Sequence, residues 1–440
     1  MKKIALFVFF LFAIGFGTIF CDACCSGNVE PVVLATLSME QAVEQAKVKK
    51  PSVHAFRYSI ENYQHLRKGT LSTFLPNISL NETFYNRKNP SNLKDSFVAQ
   101  ASQTVLDLSK VNHYKMLDAQ VSGARHQLEG HKDDVQLATE TAFLSAWLLQ
   151  QKVDFFVLLY EASKKIFEQK KNQYDLNLLD KNEYLKARAE HAGNLATVNT
   201  YKQDLSEAEK TLEYYIQDPI SLLLPKSDLS QKTIFPTKLK WDPEKKAGLE
   251  PFDFYYKKAI VNRKDLKIKQ DTINLKSHTS QFYAKQYLPT VSLFGAATKS
   301  TIWNGDSTFN KEAGLRISWN IFDGLSNYFN KNAARAEKLQ AILEKHDLSS
   351  QIKLEVQQAY SALKKEIDSL SAEKVEFKQS TNEIILRKQQ HTIKLISDVD
   401  YQSAKFSYEN SKISWITRSV SAELKRRELL KNCGYPSGIV

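Results

Sequence analysis

Phe309-Asn310-Lys311-Glu312-Ala313-Gly314-Leu315-Arg316-Ile317-Ser318-Trp319-Asn320-Ile321 places one class of side chain on its odd positions and another on its even ones. The odd positions are apolar apart from Lys311, and the even ones are polar or glycine. Alternation with a period of two marks a strand with one greasy and one wet face. Phe322-Asp323-Gly324 follows at once and opens a run of 109 residues, 325–433, without glycine or proline. That run is too long for an ordinary globular helix. Inside it apolar residues recur every seventh position, at Val356, Leu363, Leu370, Phe377 and Ile384. This is the repeat of a coiled coil. A two-faced strand feeding directly into a giant helix is the decisive feature of the chain.

The same plan occurs earlier. Ala146, Val153, Tyr160, Phe167 and Tyr174 form the second heptad series displaced by 217 positions, as Ala146 against Leu363 shows. Phe74-Leu75-Pro76-Asn77-Ile78-Ser79-Leu80 matches Tyr287-Leu288-Pro289-Thr290-Val291-Ser292-Leu293 at a displacement of 213. Leu106-Asp107-Leu108 matches Phe322-Asp323-Gly324, and Tyr184-Leu185-Lys186-Ala187 matches Tyr401-Gln402-Ser403-Ala404. Such duplication means one supersecondary plan used twice. Five of the eleven prolines, Pro219, Pro225, Pro236, Pro243 and Pro251, crowd between the halves and mark an irregular connection. The expected organisation is a first repeat over 37–218, a Pro-rich segment over 219–251, a second repeat over 252–433 and a tail over 434–440. Each repeat reads as an opening helix of about 35 residues, a Leu-Pro break, a β-hairpin and a long helical hairpin. The β-hairpins fall near 77–106 and 290–321, and the helical turns near 175–182 and 392–399.

Four strands result. Ile78, Leu80 and Phe84 oppose Ser79, Asn81 and Thr83, with Glu82 as the exception. Phe97, Ala99, Ala101 and Val105 oppose Gln100, Ser102 and Thr104, with Val98 out of pattern. The segment from Val291 to Trp303 is apolar with no clear parity. A sheet that is wet on one side and greasy on the other fits a barrel with lipid outside and water inside. Four strands are too few to close one, because transmembrane barrels begin at about eight. Closure requires several copies of the chain. The competing reading is a soluble two-hairpin sheet packed on helices. On the barrel reading Leu315, Ile317 and Trp319 face lipid, while Arg316, Ser318 and Asn320 face the lumen.

The N-terminus begins with Lys2 and Lys3, followed by an uncharged apolar run from Ile4 to Phe20. This has the form of an export signal over 1–23, with a membrane anchor as the alternative. Cys21-Asp22-Ala23-Cys24-Cys25 allows either lipid attachment at Cys24 or plain cleavage near Ala23. The chain has 440 residues, four cysteines and a net charge of +12. So few cysteines build neither a disulfide framework nor a zinc site. The basic residues are scattered and follow no nucleic-acid module, so no nucleic-acid partner is expected. No phosphate loop, dinucleotide fingerprint or His-Glu-x-x-His occurs. No catalytic, cofactor-binding or metal-ligating set is assigned, and the chain is not expected to be an enzyme.

The export signal, the Leu37-Ser38-Met39-Glu40-Gln41-Ala42 start, the repeated Leu-Pro-x-x-Ser-Leu and the passage Trp319-Asn320-Ile321-Phe322-Asp323-Gly324 together resemble the TolC-type outer-membrane efflux and secretion channels. The resemblance runs from about residue 37 to 432 and rests on the duplicated order of elements more than on any one motif. It implies an α+β fold dominated by long α-helical coiled coil. Three copies would close a twelve-stranded transmembrane β-barrel continued by a periplasmic α-helical barrel. It implies a homotrimer in the bacterial outer membrane, surrounded by outer-membrane lipid and with a large periplasmic portion. Its function would be an exit duct of a tripartite efflux or type I secretion system. A periplasmic adaptor (membrane fusion) protein and an inner-membrane efflux pump or ABC exporter would be its partners. The alternative function is an exported soluble coiled-coil adaptor or spacer of the periplasm. The resemblance further implies that the helical hairpin tips, Leu178, Leu179 and Asp180 with Leu395, Ile396 and Ser397, dock the adaptor. The acidic position beyond each turn is Glu183 in one repeat and Asp400 in the other, and Asp400 would form the channel constriction. Ser403 stands where some members carry a second aspartate. The glycine usual at these turns is replaced by Asn177 and Lys394, of which lysine is the less suited to a left-handed backbone.

Overall fold

The computed structural model describes residues 37–85, 93–219 and 249–435. The expected signal over 1–23 with Cys24, most of the Pro-rich segment 219–251 and the end of the tail 434–440 lie outside these residues. The first half comprises α1 (Met39–Lys49), α2 (Pro51–Ser72), β1 (Asn77–Phe84), β2 (Leu93–Leu106), α3 (Leu108–Asp175) and α4 (Lys181–Ile216). The second comprises α5 (Phe252–Asn262), α6 (Lys264–Lys285), β3 (Thr290–Ile302), β4 (Ser307–Ser318), α7 (Ser326–Thr392) and α8 (Asp398–Asn432).

The opening helix expected in each repeat is in fact two helices. Pro51 disfavours helical backbone at Lys50, which takes φ −64° and ψ 124°, so α1 ends and α2 restarts with Pro51 at its first turn. Arg263 adopts the same extended geometry, φ −59° and ψ 127°, between α5 and α6 without any proline. There the break is held by side chains. Arg263 is bonded to Asp265 at 2.7 Å and also pairs with Glu355 of α7. Gly434 lies against this break, and a Cβ there would stand 2.7 Å from the Asn262 carbonyl carbon. Each strand-to-helix junction is built on an aspartate. Asp107 caps α3 by accepting from the Ser109 and Lys110 amides, and Asp323 accepts from the Asn327 amide at 2.9 Å. A carboxylate is favoured there because it satisfies orphan amides and meets the positive end of the helix dipole.

The four strands form one antiparallel sheet in the order β1-β2-β3-β4. The register aligns Ile78, Ala101, Gly295 and Ala313 in one row and Leu80, Ala99, Ala297 and Lys311 in the next on the same face. The undecided parity of β3 is thereby fixed. Val291, Leu293, Gly295 and Ala297 share the face of Leu315 and Ile317, while Ser292, Phe294, Ala296 and Thr298 share the face of Arg316 and Ser318. The strand expected to reach residue 321 stops at Ser318. Pro289 has no amide to extend the ladder beyond Thr290, and the Trp319 indole instead donates to the Tyr287 carbonyl at 2.8 Å. Trp319 and Asn320 therefore lie just past the strand rather than in it.

The helices lie side by side. Around the sheet-proximal part of α3 the order is α2-α3-α6-α7, and further down it is α4-α3-α8-α7. At 1.5 Å per residue, the 68 residues of α3 extend about 100 Å. Two small cores sit where the rows exchange partners. One gathers Ala42, Phe143, Trp147, Leu212 and Ile216. The other gathers Ala259, Ile352, Val356, Leu429 and Cys433. Beside the first core, α3 and α8 share buried charge. Arg427 donates to Glu140 at 2.8 Å and to Glu423 at 2.6 Å, Arg426 donates to Glu423 at 2.7 Å, and Gln136 donates to Glu140 at 2.9 Å. Glu140, Glu423 and Arg427 are all under one tenth exposed. The Arg427 guanidinium is held above its usual range by these two carboxylates, although burial acts against its charge.

Removing Arg427 takes a charged partner from buried Glu140 and leaves Glu423 to Arg426 alone, and breaking a buried ion pair costs up to about 3–5 kcal/mol. Arg427→Ala is therefore expected to lower stability by that amount, read as a shift in the urea midpoint followed by far-UV circular dichroism. A loss below about 1 kcal/mol would mean that the cluster is hydrated rather than buried.

Candidate functional site: a two-faced sheet with open edges and paired helical tips

The face of the sheet bearing Leu315 and Ile317 also carries Ile78, Leu80, Phe97 and Leu293. No other element of the described chain covers it: Leu315 is 57% exposed and Ile317 64%. The charged residues on that face, Glu82, Asp95, Lys299 and Lys311, all lie towards the hairpin ends of the strands. The helix-proximal part is uncharged. The opposite face is mostly Ser, Thr and Asn, with Glu312 and Arg316. Phe294 is the large apolar residue there, and its ring lies over Gly314, where a Cβ would approach it to 3.1 Å.

Both layers end in open edges on the same two sides. β1 and β4 each have one ladder partner, so their outer amides and carbonyls are unpaired within the chain. In the helical layer α2 and α4 end the rows on one side and α7 ends both on the other. One side of the ribbon is thus β1, α2 and α4, and the other is β4 and α7. The α7 side exposes Leu339, Leu343, Leu354, Val375 and Leu386. Two different edges that run the full length of a molecule are the geometry of a head-to-tail interface between copies.

The helical hairpins are zipped by aromatic rings. In the first, Tyr160, His191, Phe167, Tyr184 and Tyr174 stack in succession at centroid distances of 5.0, 5.3, 6.0 and 4.7 Å. In the second, Phe377 stacks on Tyr408 at 5.7 Å and on Trp415 at 5.5 Å, and His391 on Tyr401 at 4.8 Å. The turns are built alike. Asn177 and Lys394 both take left-handed backbone, φ 57° and 59°. The Leu178 amide bonds Gln173 and the Leu395 amide bonds Gln390, each at 2.8 Å. This is the Schellman arrangement, in which the left-handed residue lets the chain reach back to the last helical carbonyls. Leu178 is 74% and Leu395 68% exposed, while Leu179 and Ile396 are half-buried. Leu176 and Ile393 are as exposed as Leu178 and Leu395. Nothing local in the sequence marks them as exposed, because they follow directly on the heptad pattern of the preceding helices.

The two acids beyond the turns are held differently. Glu183 pairs with Lys170 across the first hairpin at 2.8 Å, and that bond holds its carboxyl below the usual range. Asp400 closes a capping box. Its amide bonds the Ser397 hydroxyl at 3.1 Å, and its Oδ2 accepts from that hydroxyl at 2.7 Å. Asp400 and Ser403 are both exposed, one helical turn apart. Asp180 caps α4 by accepting from the Asn182 amide at 3.0 Å, and Asp398 pairs with His391.

No protein-family model matches the sequence, and no curated protein matches it at a significant level. Solved structures do match. The Campylobacter jejuni CmeC outer membrane channel superposes with a TM-score of 0.69 at 16% identity, over 90% of this chain and 86% of that one. A membrane protein from Pseudomonas aeruginosa gives 0.71 at 14% identity, over 91% of each chain. The Neisseria gonorrhoeae MtrE outer membrane channel in its open state gives 0.67 at 12%, over 90% of this chain and 89% of that one. The likeness is one of fold. The chain has the TolC-type channel fold, with four strands and two long helical hairpins per copy.

Left-handed backbone costs a side chain other than glycine roughly 1 kcal/mol. Lys394→Gly is therefore expected to raise the unfolding free energy by about that amount, read as a higher thermal midpoint. A lower midpoint would show that the lysine side chain makes contacts outweighing its backbone strain.

Proposed function

We propose that the chain is one subunit of a passive exit duct in the bacterial outer membrane, with its helical part in the periplasm. The observation that carries this reading is the coincidence of open edges. A sheet edge in hydrocarbon must find hydrogen-bond partners, because no water is present to supply them. The β4 edge of one copy meets the β1 edge of the next, and α7 of the first meets α2 and α4 of the second. Three copies give twelve strands, an even number able to close. The uncovered Leu315 and Ile317 face, continued by Trp319, then meets lipid, and the Arg316 and Ser318 face, continued by Asn320, lines a wet lumen. Transport energy would come from an inner-membrane efflux pump or ABC exporter. The tips, Leu178, Leu179 and Asp180 with Leu395, Ile396 and Ser397, would seat a periplasmic adaptor through the exposed Leu178 and Leu395, since exposed apolar patches serve contact.

The test is assembly followed by recording in planar bilayers. Crosslinking in mild detergent is expected to stop at three subunits. Ile317→Arg is expected to impair assembly, because a charge facing lipid costs about 2–4 kcal/mol at midplane, while Ser318→Arg assembles. Equal tolerance at the two positions would overturn the barrel reading.

At the tips, threefold symmetry would bring three Asp400 carboxylates around one axis, with Ser403 just above and Glu183 farther out. A ring of like charge at a narrow mouth favours cations. Asp400→Ala is expected to weaken block by divalent cations and to lower cation selectivity without disturbing the trimer. Glu183→Ala is expected to do less, its charge being matched by Lys170. Unchanged block and selectivity in Asp400→Ala would reduce Asp400 to a helix-capping acid.

A further inference from the structure

Where the sheet gives way to the helices, the proposed lumen carries the other sign of charge. Arg316 lies with its guanidinium carbon 4.6 Å from the centroid of Phe294. Phe294 in turn lies across Gly314, which has no Cβ to lift the ring. The stack of Gly314 backbone, Phe294 and Arg316 fixes the guanidinium on the Ser- and Thr-rich face. Arg316 is exposed, and its guanidinium is met by the Phe294 ring. Glu312, the acid on the same strand and face, is four residues away, or about 13 Å. The register sets Arg316 beside Ser292 and Ser292 beside Thr104. The Thr104 hydroxyl accepts from Lys110 Nζ at 3.3 Å, and that ammonium stands 3.9 Å from Asp107. One row at the helix-proximal end of the sheet thus runs Lys110, Thr104, Ser292, Arg316. It offers two cations and two hydroxyls on one side.

We propose that this row is an anion-binding site on the lumen wall that takes small organic carboxylates. It rests on reading this face as the water-facing one. A guanidinium pre-set by stacking loses little freedom when it grips a carboxylate through its parallel N–H groups. The Ser292 and Thr104 hydroxyls add hydrogen-bond capacity beside it. Three subunits would place three such rows around the duct where barrel meets helices. The ring would enrich acidic solutes at that level and resist cations. Lys110 is partly matched by Asp107, so Arg316 carries most of the effect.

Purified trimers in planar bilayers under a potassium chloride gradient, with and without benzoate, test this. Arg316→Gln is expected to raise the potassium-to-chloride permeability ratio on the order of threefold and to abolish benzoate-induced reduction of current. Gly314→Ala, which keeps the charge but displaces Phe294, is expected to weaken the benzoate effect while altering the ratio less. A second measurement separates this site from the reading beneath it. Arg316→Cys and Ile317→Cys are treated in assembled trimers with a water-soluble thiol reagent, the unsubstituted protein serving as blank. Cys433 is buried and its thiol is pushed up to about 12 by burial, so it stays unreactive. Labelling at 316 and not at 317, with an unchanged ratio and benzoate response in Arg316→Gln, would overturn the anion site and leave the barrel standing. Labelling at 317 and not at 316 would overturn the face assignment, and the anion site with it.

Discussion

On the barrel reading proposed above, an unpaired sheet edge in a medium without water is the constraint on which the remaining structure depends. Each amide and carbonyl left unmatched in hydrocarbon costs several kcal/mol. A chain with four strands carries two such edges, β1 and β4. Helices placed over the edges would satisfy none of these groups, and the chain in fact places its helices below the sheet. What it builds is a ribbon whose helical edges repeat the sidedness of the sheet edges, with α2 and α4 under β1 and α7 under β4. The β layer and the helical layer therefore call for the same neighbour.

Duplication explains how so long an object is specified by so few local devices. The same turn, cap and break occur twice, and the copies differ where one residue has been replaced by another able to hold the same backbone. Pro51 and Arg263 both follow or form an extended break between paired helices, one by ring chemistry and one by ion pairs. Gln217 and Gly434 both end a half with left-handed backbone, φ 62° and 73°. Lys394 repeats the conformation of Asn177 despite its longer side chain. In these pairs geometry is shared and chemistry is not.

Much of the fold was legible because it rests on period. The alternation in β4 and the heptads of α3 and α7 follow from which side chains must be hidden. β3 was illegible because Gly295, Ala296 and Ala297 carry no sidedness and Phe294 points to the wet face over Gly314. Only pairing with β2 and β4 decides its parity. The break at Arg263 is held partly by Asp265 close by and partly by Glu355, far away in sequence, and the second contact carries no local signal. The network of Glu140, Glu423 and Arg427 reads in sequence as ordinary polar positions on long helices. Its burial arises because α3 and α8 come from different repeats and meet only after folding. At the tips, sequence marked the turns and the acids. It could not tell that Glu183 pairs across its hairpin while Asp400 folds back on Ser397.

The unequal ring zippers give the two arms of the molecule unequal stiffness. Phe167 bridges His191 and Tyr184 into one unbroken column. Ile384 occupies the corresponding place in the other arm, so the rings of Phe377, Tyr408 and Trp415 are separated from those of His391 and Tyr401. Above both arms the Arg427 cluster clamps α8 to α3. Considered as a mechanical part, the chain is a beam held at a fulcrum with one rigid and one compliant limb. A sideways load applied at the ends would bend the limb bearing Ile384 first, and little of that strain would travel past the clamp towards the sheet.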